Sequence, residues 1–359
     1  MRISIVLGTR PEIIKFSPII RECERLGLDY FILHTGQHYS YNMDKIFFEQ
    51  LELPEARHNL DIGSGSHGEQ TGKMLIGVEK VLMNEKPDVV LVEGDTNTVL
   101  AGALAAVKLG IKVGHVEAGL RSYDREMPEE INRVLADHCS DLLFAPTENA
   151  HKILINEGIP EDRIFVTGNT VVDAVYQNLE LSRKKVNALS HLNLKEDGFF
   201  LVTVHRQENV DNEKRFRDIL KGLSMLGKKC GVPIIYPIHP RAKKQMETFK
   251  LESEGVKFIE PLDYLSFLQF ESKAKLVLTD SGGVQEETCI LKVPCVTLRY
   301  NTERPETLEV GSNVLAGTNP SEIVQKTKNM LYVERKWINP FGDGKAGEKI
   351  IQILRDKIE

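Results

Sequence analysis

Cysteine is scarce here and arranged in no recognisable pattern: five residues, at positions 23, 139, 230, 289 and 295. They are scattered, odd in number and never spaced Cys-x-x-Cys, which argues against a disulfide framework and against a structural zinc site. A basic excess is also lacking. Lys+Arg totals 46 against Asp+Glu 52, a net charge of −6, whereas chains that wrap nucleic acid or lie on anionic membranes carry surplus positive charge. Neither kind of partner is expected. No apolar run approaches the ~18 residues of a membrane span. The first, Ile3 to Gly8, is cut off by Arg10, Pro11 and Glu12 and is too short for a signal sequence. A reduced, cytoplasmic protein is the expectation.

What is present is material for two cores. The chain has 359 residues, 41% of them hydrophobic, and domains usually take roughly 100–200 residues. Short apolar, β-branched runs recur at Ile3–Leu7, Tyr30–His34, Val89–Glu93, Val113–Val116, Leu142–Ala145 and Ile164–Thr167. The series resumes at Phe199–Val204, Pro233–Pro237, Val256–Ile259, Leu276–Thr279 and Cys295–Leu298. Segments with i, i+3, i+4 apolar spacing lie between them, such as Thr98–Leu109, Glu213–Leu226 and Glu322–Tyr332. This alternation predicts an α/β protein of two Rossmann-like domains, each a mostly parallel, doubly wound sheet, facing across a cleft. The break falls between about Asp173 and Asp197, where Gln177–Lys195 reads as a polar helical link.

Cofactor signatures are weak. Gly63, Gly65 and Gly68 fit G-x-G-x-x-G, but only Leu60-Asp61-Ile62 precedes them where a strong strand is required. Gly72-Lys73 lacks the first glycine and the Ser/Thr of a P-loop. The glycine stretch reads as a loop, and no cofactor or metal is expected.

In open α/β sheets ligands bind beyond the carboxyl ends of the strands, and the unusual residues of this chain follow its strands. After the first come Gly8-Thr9-Arg10-Pro11-Glu12 and Lys15, two cations at a helix N-terminus. After the third comes Glu93-Gly94-Asp95-Thr96-Asn97, where Asp95 is either a functional acid or merely the cap of the next helix. After the fourth comes Glu117, an odd carboxylate ending a buried strand, and then Glu129 and Glu130 in the first turn of a helix. Acids converging from separate segments suit proton transfer, one ionised as base and another protonated as acid. The second half adds His205, Arg206, His239 and Arg241 at strand ends, and then Asp280-Ser281-Gly282-Gly283 opening a helix. Strand, Ser-Gly-Gly, helix is an anion nest suited to a diphosphate. Glu287, one turn on, is placed to accept hydrogen bonds from ribose hydroxyls. The residues thus predict a second domain that grips a nucleoside diphosphate and a first domain that supplies acids.

Taken together, Gly8-Thr9-Arg10-Pro11-Glu12, Gly94-Asp95-Thr96, His115 to Arg121, Pro128 to Arg133, Gly168-Asn169-Thr170, His205-Arg206, Thr279 to Glu287, Thr302 to Glu306 and Asn339 to Gly344 resemble the non-hydrolysing UDP-N-acetylglucosamine 2-epimerases. The match runs in order through the chain. It implies the GT-B fold, with domains 1–172 and 173–340 and a C-terminal helix, 341–359, returning to the first. It implies interconversion of UDP-GlcNAc and UDP-ManNAc by a homodimer, through loss and re-addition of UDP by way of 2-acetamidoglucal. By the same resemblance Asp95, Glu117 and Glu129 are catalytic acids and His205 acts beside them. Arg10, Lys15, His205 and Arg206 then contact the substrate or its diphosphate, Ser281, Gly282 and Gly283 bind phosphate, and Glu287 binds ribose.

The chain departs from this pattern at two places. Gln207 stands where bacterial members often carry Arg, so the allosteric UDP-GlcNAc site of many of them is not carried over. His34-Thr35-Gly36-Gln37-His38 with Asn42-Met43 is similar to a sister group acting on UDP-2,3-diacetamido-glucuronate, which keeps that sugar open as an alternative. A hydrolysing epimerase releasing ManNAc and UDP is the other.

Overall fold

A computed structural model describes residues 1–37 and 41–358, and the side chains of 41–43 and 191 are not described. His38 and the Asn42 and Met43 side chains, part of the resemblance to the sister group, therefore lie outside the described residues. The chain divides into two units: Met1–Gln177 with Phe341–Glu359, and Asn178–Pro340. The division falls inside the helix Thr170–Lys185; the domain bounds 1–172 and 173–340 place it a few residues earlier.

The first unit is built on β1 (Arg2–Leu7), β2 (Asp29–His34), β3 (His58–Asn59), β4 (Val89–Glu93), β5 (Lys112–Val116), β6 (Leu142–Ala145) and β7 (Ile164–Val166). They form one sheet in the order β3-β2-β1-β4-β5-β6-β7, every pair parallel. The second unit is built on β8 (Phe200–Thr203), β9 (Ile234–Pro237), β10 (Val256–Ile259), β11 (Leu276–Thr279), β12 (Cys295–Thr297) and β13 (Asn313–Leu315). Its order is β10-β9-β8-β11-β12-β13, again all parallel. Parallel sheets need cover on both faces, and β4 (Val-Val-Leu-Val-Glu) is buried along its whole length. Strand order reverses between β1 and β4 in one sheet and between β8 and β11 in the other. Those are the switch points at which such sheets open a crevice for ligand.

The helices follow their sequence signals. In Arg10–Leu26, Pro11 sits in the first turn, Glu12 accepts the Gly8 and Thr9 N–H groups at 2.6 and 2.8 Å, and Ile13, Phe16, Ile19, Ile20 and Cys23 are buried. In Glu213–Cys230, Asn212 caps the N-terminus by accepting from the Arg215 N–H at 3.0 Å, and Phe216, Ile219, Leu223 and Leu226 pack on the sheet. One expectation is corrected. The Gly63–Gly68 stretch is not loop throughout, because a helix, His67–Glu85, starts inside it with Ser66 as its cap.

The chain returns to the first unit at its end. Asn169 N–H donates to the Phe341 carbonyl at 2.8 Å. Asp173 then accepts the N–H groups of Ala346 and Gly347 at 3.2 and 2.9 Å, capping the helix Ala346–Ile358. Gly347 lies so close to Pro18 that a Cβ there would stand 3.2 Å from its backbone carbon, so the last helix and Arg10–Leu26 meet backbone to backbone.

Burial pushes the Asp173 carboxyl up to about 6 despite its two amide donors, with Asp343 adding a repulsion. The folded state thus binds this proton more tightly than the unfolded chain, and stability should grow as pH falls from above 6 towards the ordinary carboxylate range. Between about pH 7.5 and about pH 4.5 the unfolding free energy should shift by about 2 kcal/mol in favour of the parent over Asp173→Asn. A parent–variant difference that stays constant over that range in urea titrations contradicts this.

Candidate active site

In the first unit the carboxyl ends of β1, β4 and β5 converge on buried charge. Lys15, in the second turn of Arg10–Leu26, places Nζ 2.5 Å from Glu117 Oε2 and 3.1 Å from Glu93 Oε1. Asn169 Nδ2 also donates to Glu117 Oε2, at 2.9 Å. Glu117 has φ +67, a left-handed conformation unusual for a side chain of its size. The backbone accepts that cost only where the surrounding contacts hold it. Glu93 is the last residue of β4 and is 2% exposed. Burial pushes its carboxyl well above the usual range, Lys15 pulls it back in part, and Glu117 and Glu12 reinforce the rise. Glu12 is raised by burial as well, against hydrogen bonds from Thr96, Gly8 and Thr9. One ammonium therefore faces two carboxyls, Glu117 and the upward-shifted Glu93, and unequal environments of this kind are the condition for acid and base to stand side by side.

Asp95 is held separately. Arg133 Nη2 binds its carboxylate, and Asn132 Nδ2 donates to its backbone carbonyl at 3.0 Å. It is not the cap of the following helix: Thr96 Oγ1 accepts the Val99 N–H at 3.4 Å, leaving the Asp95 side chain, one third exposed, available to a ligand. Glu129 is placed differently from these. It is exposed in the first turn of Pro128–Cys139, and no hydrogen bond or ion pair ties it to Asp95 or Glu117 among the described residues. Its neighbour Glu130 is structural, accepting from Ser122 N and Oγ and from Tyr123 N, each at 2.9 Å, and lying 3.2 Å from Arg133. Arg10 places Nε 3.2 Å from Asp44 and its guanidinium over the Phe47 ring.

In the second unit one carboxylate organises the strand ends. Asp280 is fully buried and accepts from His205 N (3.1 Å), Arg206 N (3.0 Å) and Asn209 Nδ2 (3.1 Å). This fixes the turn after β8, leaves the His205 ring 44% exposed and puts Nδ1 3.4 Å from Asp280. Beside it the Arg206 Nη1 lies 3.5 Å from Glu303, which Arg299 clamps with two bonds of 2.8 Å. Burial alone raises the Glu303 carboxyl, but Arg299 and Arg206 outweigh it and hold the group at about 2. It stays ionised and anchors both guanidinium groups.

Ser281 precedes the helix Gly282–Ile290, and its hydroxyl caps nothing in that helix. A Cβ on Gly282 would meet only Glu303 Oε2 at 3.8 Å and Arg206 Nη2 at 3.9 Å, and on Gly283 only Ser281 Oγ at 4.0 Å. Free N–H groups, an uncommitted hydroxyl and a guanidinium thus border open space, as an anion requires. One turn on, Tyr264 Oη donates to Glu287 Oε1 at 3.2 Å. Beneath it Glu271 is fully buried, and burial with the Glu287 charge pushes its carboxyl well above the usual range.

Sequence reasoning singled out Asp95, Glu117, His205, Arg206 and Ser281 by their position after strands, quoted Asn169, Asp280 and Glu303 only within motifs and without a role of their own, and gave none to Glu93. Glu93 carried the same signal as Glu117, a carboxylate ending a strand of buried residues. Among the described residues no group of three or more His, Cys, Asp or Glu side chains is arranged to hold a metal ion, and no helix is long and apolar enough to cross a membrane.

Comparison with known proteins is unambiguous. A family model described as UDP-N-acetylglucosamine 2-epimerase matches residues 21–355. The UDP-N-acetylglucosamine 2-epimerase of Methanocaldococcus jannaschii is 59% identical over 99% of both chains. The crystal structure of the M. jannaschii enzyme in complex with UDP-GlcNAc and UDP superimposes with a TM-score of 0.90 over 99% of this chain and all of that one. The UDP-2,3-diacetamido-2,3-dideoxy-D-glucuronate 2-epimerase of Pseudomonas aeruginosa is 41% identical over 99% of both.

Proposed function

The chain belongs to the UDP-N-acetylglucosamine 2-epimerase family and inverts C2 of UDP-GlcNAc, and from that premise we propose how its two units share the work. The second unit holds the UDP: Ser281, Gly282 and Gly283 with Arg206 take the diphosphate and Glu287 takes the ribose. The first unit supplies the acids. A carboxylate removes the C2 proton, the C–H electron pair forms a C1=C2 double bond, and the C1–O bond breaks with its electrons leaving on the UDP oxygen. Oriented N–H donors and Arg206 stabilise the charge that develops there. UDP oxygen then re-adds to C1 of 2-acetamidoglucal while a second acid protonates C2 from the opposite face. Asp95 and Glu117 fill these roles best, since both are held at strand ends by cations. Glu129 joins them only through movement of its exposed side chain.

The observation that carries this reading is Glu117 on a left-handed turn, held by Lys15 with the buried Glu93 on the same ammonium. Incubation with UDP-GlcNAc in D2O tests it: UDP-ManNAc carrying deuterium at C2 is the expected product, and net release of free ManNAc overturns it. The 59% identity to a UDP-GlcNAc enzyme against 41% to a diacetamido-glucuronate enzyme favours UDP-GlcNAc, and faster turnover of the glucuronate analogue reverses that choice.

We also infer a homodimer in the cytoplasm, where free thiols at all five cysteines are at home. Ile76 and Met83 are 69% and 58% exposed on His67–Glu85, and Ile131 and Leu135 are 37% and 48% exposed on Pro128–Cys139. Both helices pack on Asn97–Lys108, so these side chains form an apolar face suited to a second copy. Light scattering should give twice the mass of one chain for the parent and half that value for Met83→Lys with Leu135→Glu. A monomeric parent excludes the dimer.

A further inference from the structure

Asp137 lies on Pro128–Cys139, is fully buried and belongs to none of the groups considered so far. Its Oδ1 is 2.7 Å from His115 Nδ1, and the far side of that ring places Nε2 2.8 Å from the Gly94 carbonyl. Its Oδ2 accepts the Gly119 N–H at 3.2 Å and lies 2.7 Å from Arg121 Nη1. Gly94 immediately precedes Asp95, and Gly119 follows Glu117 by two residues. Both glycines have φ +84, and a Cβ on Gly119 would stand 2.6 Å from the Ala150 carbonyl. The two turns are thus narrowly defined, and one buried carboxylate ties both of them down.

The His115 ring has an acceptor at each nitrogen, a carboxylate and a carbonyl, a setting that favours a proton on both and a positive ring. Burial opposes that charge, but Asp137 and the Gly94 carbonyl outweigh it and raise the group. Burial likewise raises Asp137, and His115 with Arg121 outweighs it and holds the carboxylate ionised. Arg121 is fixed in turn by two bonds to Glu157, of 2.8 and 2.6 Å. The pair is therefore a locked ionic unit with no solvent contact and no free valence for a substrate.

We propose that Asp137, acting through His115 and the Gly119 amide, is the positioning residue that sets Asp95 and Glu117 in register with each other. This rests on the reading of those two as the acids on opposite faces of C2. Two proton transfers to one carbon tolerate little error: displacement of about 1 Å costs about 10²-fold in rate. A turn that slips on one side only would still take the proton yet fail to return it on the other face. The intermediate would then leave instead of being re-protonated.

Asp137→Asn keeps the shape and removes the charge, letting His115 become neutral. The expected result is a kcat lower by about 10–100-fold, with KM and the UDP dissociation constant within about twofold of the parent, and a larger share of turnovers ending in released UDP and 2-acetamidoglucal. His115→Gln should show the same leakage more mildly, and the double variant should be no worse than Asp137→Asn alone, because both act along one path. A purely structural role would lower the melting temperature without changing how the intermediate partitions. Parent-like partitioning in a folded variant, or additive losses in the double variant, overturns the proposal. If Asp137→Asn does not fold, His115→Gln decides alone. Asp95→Asn and Glu117→Gln run in parallel separate the two levels: if those retain turnover the acid assignment is wrong, and if they collapse while Asp137→Asn behaves as the parent only the positioning role is wrong.

Discussion

Asp95→Asn and Glu117→Gln are each expected to lower turnover by roughly 10²–10⁴, the usual worth of a general acid or base, while UDP still binds. The amide replacements keep shape and hydrogen-bonding oxygen but can neither take nor hold the proton. Binding should survive because the groups assigned to UDP lie on β8, β11 and their following turns, in the other unit. The two variants should differ in one respect. Glu117→Gln leaves Lys15 in its 3.1 Å contact with Glu93, which favours ionisation of Glu93 and so supplies a substitute carboxylate base. Residual activity in Glu117→Gln should therefore rise with pH relative to Asp95→Asn. Full turnover by either variant in a coupled UDP-ManNAc assay removes that residue from the mechanism.

Asp280→Ala should be the most damaging single change to the second unit. Its carboxylate is the common acceptor for the part-buried His205 and Arg206 amides and for the buried Asn209 Nδ2, and its removal strands those donors at up to about 1–3 kcal/mol each. With partial relaxation a loss of about 3–5 kcal/mol in unfolding free energy is expected. The turn bearing Arg206 should also lose its set, so UDP binding weakens even where the fold persists. Unchanged urea denaturation and an unchanged UDP dissociation constant would rule out the organising role.

The parallel αβ framework was legible because each strand is a short apolar run closed by polar residues, and most observed boundaries fall within a residue or two of those runs. Two strands escaped. β3 is only His58–Asn59, and β13, Asn313–Leu315, opens with a polar residue that is buried and bonded to Gln285 and Thr307. Edge strands this short carry no period to read. The helix inside the glycine stretch had a signal that was outweighed by composition: Ser66-His67-Gly68-Glu69 fits the S-x-x-E start of a helix.

The candidate site divides along the same line. Asp95, Glu117, His205, Arg206 and Ser281 follow their strands directly, so position in the sequence betrays them. Asn169, Asp137 and Arg133 reach the same places from other elements, across separations of 52, 18 and 38 residues. No local pattern encodes such meetings. Lys15 was visible as a cation at a helix start, but its role as the bridge between two carboxylates depends on where β4 and β5 end.

The way the chain leaves the first unit at Gln177 and re-enters it at Phe341 bears on the order of events at the ribosome. The second unit is one continuous stretch and is translated whole before the other is finished. The first, though its sheet emerges earlier, lacks the helix that Asp173 caps until Ala346–Ile358 has followed the whole second unit out of the exit tunnel. Maturation of the first unit therefore runs against the usual amino-terminal-first direction, and a chain stalled before residue 341 would carry a finished second unit and a first unit that is still open.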